Sequence, residues 1–221
     1  MASATSHLGE IYDRLRAARG HAGWWPAESA FEVCLGAILV QNTAWGNVEK
    51  ALAVLRARGL LSFGALIPLT ADEIAPLIRS AGCHTVKARR VAAFLQFLDR
   101  EYQGDLSRLA GEEPQTLREK LLAVKGIGRE TADCIVLYAA GHPLFVVDAY
   151  TRRVFSRLGV LEGGEDYDAV QGVFHAGLPR DAALFNDYHA QIVNLGKDVC
   201  RKVPRCAVCP LSTLCRRRDE S

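Results

Sequence analysis

Residues 124–131 read VKGIGRET, and a helix-like run, TADCIVLYAA (131–140), follows at once. Two glycines one residue apart, ahead of a helix start, make a place where backbone amides can hold a phosphate. A nucleotide loop does not fit. The stretch lacks G-x-x-x-x-G-K-[ST], the spacing past Gly128 does not give G-x-G-x-x-G, and no strand precedes it. A plain turn, in which the glycines only tolerate positive φ, fits the residues as well. The functional alternative is a glycine hairpin between two helices. There the bare amides of Gly126, Ile127 and Gly128 grip one backbone phosphate without reading sequence, with Lys125 and Arg129 adding charge.

Outward from this turn, apolar residues recur at helical spacing. Phe31, Leu35 and Ile38 share one face, and Trp45, Val48, Leu52 and Leu55 share another. Ser29…Glu32 and Thr70…Glu73 have the spacing of capping boxes. Gly59, Pro68, Gly82, Gly104, Gly141-His142-Pro143 and Gly163-Gly164 punctuate the chain. Only Leu144–Val147 could be a strand, and one strand makes no sheet. The pattern predicts about ten short helices and an all-α fold. No strong repeat stands out, although AGCHTVKAR (81–89) loosely echoes the glycine hairpin.

The 221 residues suffice for one domain or two small ones. Nearly half are apolar and the net charge is +2, so the composition is that of an ordinary globular protein. The first twenty residues are too polar for a signal peptide, and no apolar run approaches the ~18 residues of a membrane span. A cytoplasmic protein without a membrane partner is expected. Seven cysteines are then poor candidates for disulfides.

Four of those cysteines crowd into CRKVPRCAVCPLSTLC (200–215): Cys200, Cys206, Cys209 and Cys215, spaced C-x5-C-x2-C-x5-C. Cys34 and Cys134 lie among apolar helical residues and read as core. Structural zinc favours two close pairs separated by a longer loop. One C-x-x-C flanked by single cysteines suits a compact wrap round a cubane, so a [4Fe–4S] cluster is preferred to zinc. Seven Lys or Arg fall between Lys197 and Arg218, against one acid. Such a run is usually a solvated face. On a metal-braced loop, Arg201, Lys202, Arg205 and Arg216 instead present a phosphate-binding surface.

Asp148, in VVDAYTRRVF, follows an apolar run and precedes a helix. It can cap that helix, face a reaction centre, or do both. All three tryptophans lie at 24, 25 and 45. Trp45 is equally a core residue. The adjacent Trp24 and Trp25 cannot both face inward on one helix. An indole face attracts a cationic ring. Gln41 and Asn42 precede a helix start, placed to cap it or to fill a gap left by an extruded base.

Together the hairpin, the aspartate and the cysteine loop resemble the helix–hairpin–helix DNA glycosylases of the endonuclease III type, from FEVCLGAILVQNT (31–43) through to the cysteines. The resemblance implies a six-helix domain, here 27–141, and a cluster domain from 1–26 and 142–221, with DNA in the cleft between them. It implies excision of a flipped-out damaged base, with Asp148 as the catalytic carboxylate. Two departures stand out. Five residues rather than six separate the first two cysteines. Glu130 also stands where the bifunctional members carry the lysine that forms a Schiff base, and a carboxylate cannot form an imine. Lys125 sits where the family has proline.

A narrower match, GWWPAES (23–29) with LGAILVQNTAWGNVEK (35–50), KGIGRETAD (125–133) and VVDAYTRR (146–153), is similar to the 3-methyladenine DNA glycosylase III branch. It implies a monofunctional enzyme of base excision repair that releases alkylated purines. Trp24, Trp25, Pro26 and Trp45 would form the base pocket, with Gln41 and Glu130 near it, and Trp45 replaces a phenylalanine. A monomer working at the bacterial nucleoid is expected. The alternatives are a glycosylase with AP lyase activity on oxidised pyrimidines and a non-catalytic, metal-bearing DNA-binding protein. An adenine-mismatch enzyme would carry a further C-terminal domain.

Overall fold

The computed structural model describes residues 2–216, so Arg217 and Arg218 of the basic run lie outside the described residues. The described chain is helical throughout, without strands. It divides into two compact units. One is continuous, Ala27–His142; the other joins the chain up to Pro26 with the chain from Pro143 onward.

In the continuous unit, α2 (Ala30–Leu39) is the central helix. Every residue from Phe31 to Leu39 is buried, so the single apolar face expected there is in fact the whole circumference. Ser29 caps it by accepting the Glu32 amide at 3.2 Å. The reciprocal half of the expected capping box does not form. The Glu32 carboxylate accepts the Glu28 amide at 3.0 Å and pairs with Arg56 of α3 (Trp45–Ala57). A buried acid takes the cation within reach ahead of a neighbouring amide. Thr70 and Glu73 do form the full box at the start of α5 (Ala71–Leu77), which follows the single turn α4 (Phe63–Leu66). The 48/52/55 stripe of α3 is buried as expected.

Next, α6 (His84–Tyr102) starts from a turn with Gly82 and Cys83 both at positive φ. The loose echo at 81–89 is thus a second glycine turn feeding a helix. Then α7 (Pro114–Leu122) leads through the glycine hairpin into α8 (Arg129–Cys134), which continues as a π-helical turn over Ile135–Ala139. Arg118 of α7 and Asp133 of α8 form a buried ion pair, Nε to Oδ1 at 2.7 Å, that ties the two hairpin helices together.

In the other unit, α1 (Ala2–Arg19) packs on α10 (Tyr167–Gly177) and α11 (Ala182–Asp198), burying Leu8, Ile11 and Leu15. The Tyr12 hydroxyl donates to Asp187 at 2.8 Å, and Phe145 stacks on Phe174 with centroids 3.9 Å apart. Residues 144–147 are extended but pair with no strand. Their polar groups meet one face of α10: His175 Nε2 accepts the Phe145 amide, the Tyr167 hydroxyl accepts the Val147 amide, and the Gln171 amide donates to the Phe145 carbonyl. Positions 167, 171 and 175 recur every fourth residue, so one helix face supplies what a sheet would. No described helix is long and apolar enough to cross a membrane.

Candidate functional site

Gly126 has φ +93°, a conformation that glycine adopts freely. It also has no room for a side chain: a Cβ there would lie 2.4 Å from Cγ of Arg90. The hairpin amides differ from the expected three bare donors. Ile127 donates its N–H to the Val124 carbonyl at 3.1 Å and buries its side chain, so it closes the turn instead of facing solvent. Gly126 and Gly128 are exposed, and their amides meet no acceptor among the described residues. Gly128 is the N-cap of α8 and supplies no side chain to cap it. Lys125, Arg129 and Glu130 are all exposed around this turn.

Gln41 is held against the hairpin. Its amide nitrogen donates to the Gly126 carbonyl at 3.1 Å and to the Thr131 hydroxyl at 2.8 Å, and its oxygen accepts from Arg90. One turn earlier on α6, the ammonium of Lys87 donates to the carbonyls of Leu39 and Ala81 at 2.8 and 2.7 Å. Burial pulls its pKa below the usual lysine range. Neither Lys87 nor Arg90 carries a sequence signal; each is one cation among many on an amphipathic helix. Trp45 is half-buried at the first position of α3.

In the other unit, Asp148 is the N-cap of α9 (Ala149–Leu158). Its Oδ1 accepts the Thr151 amide at 2.6 Å and the Thr151 hydroxyl at 2.9 Å. His189 of α11 faces Oδ2, with Nε2 3.6 Å away. Burial favours the neutral acid, but His189 and Thr151 together outweigh it and hold the carboxyl below the usual aspartate range. Asp148 is thus both a helix cap and a desolvated, ionised carboxylate. Sequence reasoning missed His189, because nothing in YHAQIV marks a partner for a distant aspartate. Trp24 and Trp25 lie on a loop between α1 and α2, not on a helix. Their peptide bond is cis and their half-buried rings sit 5.4 Å apart, tilted by 57°. Pro26 beside them is exposed.

Cys200, Cys206, Cys209 and Cys215 line a single pocket. Burial, and then the three neighbouring thiols, push the Cys209 thiol up. Among the described residues, no group of three or more His, Cys, Asp or Glu side chains is placed to hold a metal ion. Four thiols lining one pocket are a donor set of the kind that holds an iron–sulfur cluster. Arg157 of α9 braces the loop, donating to Cys200 Sγ at 3.3 Å and to the carbonyls of Arg201 and Lys202. Arg201, Lys202 and Arg205 are exposed, with Val203 between them 82% exposed.

Residues 35–179 match the family described as HhH-GPD superfamily base excision DNA repair protein. An inferred DNA repair glycosylase of Methanocaldococcus jannaschii is 42% identical over 208 residues, 93% of this chain and 94% of its own. Among solved structures, the H. pylori 3-methyladenine DNA glycosylase (MagIII) bound to 1,N6-ethenoadenine is 28% identical, with a TM-score of 0.75 over 85% of this chain and 96% of that one. An endonuclease III–DNA complex, 23% identical, shares the fold at a TM-score of 0.83 over 98% of this chain and 97% of that one. The all-helical fold, the glycine hairpin and these likenesses agree: the chain belongs to the HhH-GPD superfamily of base excision DNA repair glycosylases.

Proposed function

We propose that this protein is a monofunctional DNA N-glycosylase that flips out and releases alkylated purines such as 3-methyladenine. The observation that carries the reading is a pair of carboxylates. Asp148 is buried and held ionised, while the exposed Glu130 stands where a lyase needs an amine. The similarity to a 3-methyladenine glycosylase points the same way.

The open amides of Gly126 and Gly128 and the first turn of α8 take one DNA phosphate, and Lys125 and Arg129 add charge. Trp24, Trp25, Pro26 and Trp45 receive the base. A purine methylated at N3 or N7 is cationic, leaves readily and gains ~0.5–2 kcal/mol over an indole face. Asp148 stabilises the cationic sugar as the N-glycosidic bond breaks and orients the attacking water. Cys200, Cys206, Cys209 and Cys215 would hold a [4Fe–4S] cluster. Bound, that group stiffens the loop that offers Arg201, Lys202 and Arg205 to the DNA backbone.

A panel of single-lesion duplexes, incubated with and without later alkali, tests the reading. Release of alkylated purines with strand breakage only after alkali is expected. Borohydride trapping of a covalent adduct would transfer the activity to a lyase, with Lys125 the amine nearest the hairpin in sequence. No base release from any lesion would leave a binding protein. Absorbance near 400 nm in the purified protein distinguishes iron–sulfur from zinc.

A further inference from the structure

The residues between α1 and α2 form no helix, so their backbone polar groups need partners from elsewhere. At 20–23 those partners are closely set. The Gly20 amide closes the end of α1 on the Arg16 carbonyl at 2.8 Å. The Gly20 carbonyl accepts from the Gln191 side-chain amide at 2.6 Å, and the Ala22 amide donates to Asp187 Oδ1 at 2.7 Å. The Gly23 amide folds back on His21 Nδ1 at 3.0 Å. Asp187 and Gln191 stand four residues apart on one face of α11, and both are 0% exposed. The other oxygen of Asp187 takes the Tyr12 hydroxyl, which in turn accepts from Arg16. Two wholly buried side chains thus fix a short run of loop backbone at two points, and Trp24 and Trp25 follow directly.

We propose that Asp187 is a positioning residue for the damaged base: with Gln191 it fixes the backbone from which Trp24 and Trp25 project. The inference rests on those two rings receiving the base. Aromatic contact depends on ring distance and tilt, so a shift of the backbone that carries the rings weakens the hold on a flipped base. A carboxylate suits the task because it has two oxygens. Oδ1 takes the loop, and Oδ2 takes α1 through Tyr12, so the two connections break separately. Asparagine in its place keeps an oxygen for the Ala22 amide, and alanine keeps none.

Two readouts on the full-length protein decide the matter. With Trp45→Phe as background, Trp24 and Trp25 are the tryptophans left in the chain, so acrylamide quenching of their emission reports how firmly the loop holds them. In the otherwise native chain, single-turnover base release at saturating enzyme, from a lesion that the native protein releases, reports the hold on the base. Asp187→Ala is expected to raise quenching and to slow release about tenfold, with native affinity for undamaged duplex. Asp187→Asn should restore both readouts. Tyr12→Phe, which breaks only the link to α1, should leave both native. Should Asp187→Ala not fold, Gln191→Leu frees the Gly20 carbonyl and should move both readouts in the same direction. Native quenching in Asp187→Ala, or in Gln191→Leu where it stands in, overturns the proposal. So does a Tyr12→Phe or Asp187→Asn protein as impaired as Asp187→Ala. Raised quenching with native release separates the two levels: Asp187 then holds the loop, but the reading of Trp24 and Trp25 as the base pocket falls, and the positioning role with it.

Discussion

Helix α8 begins at Gly128, which has no side chain to close its first turn, whereas α9 begins at Asp148, whose carboxylate takes the Thr151 amide. Both starts offer free amides to a negative group. The first leaves the place open to an anion from outside, and the second fills it with an anion of its own. An open start is suited to holding a phosphate that arrives and leaves. A filled start fixes a carboxylate so that one oxygen faces a defined direction. The same backbone feature is thus left open in one unit and closed by a carboxylate in the other.

The largest way to break this contrast is to loosen the open start from beneath. Arg118→Met removes the cation paired with the buried Asp133 between α7 and α8, and should lower stability by about 3–5 kcal/mol in denaturant titration. At the filled start, Asp148→Asn keeps a capping side chain but removes the charge. Base release should fall about 10²–10³-fold in single-turnover assays while the fold persists. The same variant shows its linkage to pH. The native carboxyl has a depressed pKa, so its ionised form contributes stability above the unfolded value of about 4, and this is lost as pH falls through the lower folded value. Acid unfolding curves of native and variant should therefore converge below about pH 4.

Gly126→Ala probes the turn itself. Positive φ and the collision with Arg90 should together cost about 1–3 kcal/mol and weaken DNA binding more than they slow base release once DNA is saturating. The smallest effect is expected at the cysteine loop. Lys202→Gln should lower the slope of log affinity against log salt by about 1 and leave the rate on bound DNA unchanged.

What the sequence made legible were local features, formed by residues close together in the chain. The two glycines of KGIG, the four cysteines and the acid ahead of a helix each declare themselves within a short window. What it hid depends on tertiary neighbours. His189 gains meaning only when α11 packs on α9, and Gln41 only when α6 brings Arg90 to it. Glu32 read as half of a capping box because Arg56 lies on another helix. Trp24 and Trp25 stand in a loop, where helix geometry does not apply, and the Ile127 amide closes the turn instead of standing free for a phosphate. Residues 131–139 are helical as their pattern predicts, but the shift to a π turn at Ile135 has no signal in IVLYA.

The division of the chain has a consequence for synthesis. Helix α1 leaves the ribosome well before α10 and α11, the elements against which it buries Leu8, Ile11 and Leu15. The intervening unit has its whole sequence available first and can fold while α1 waits with an apolar stripe unsatisfied. Completion of the unit that carries Asp148 therefore waits for α10 and α11 to emerge. A nascent chain stalled after the hairpin completes the open helix start before Asp148 has α11 to pack against.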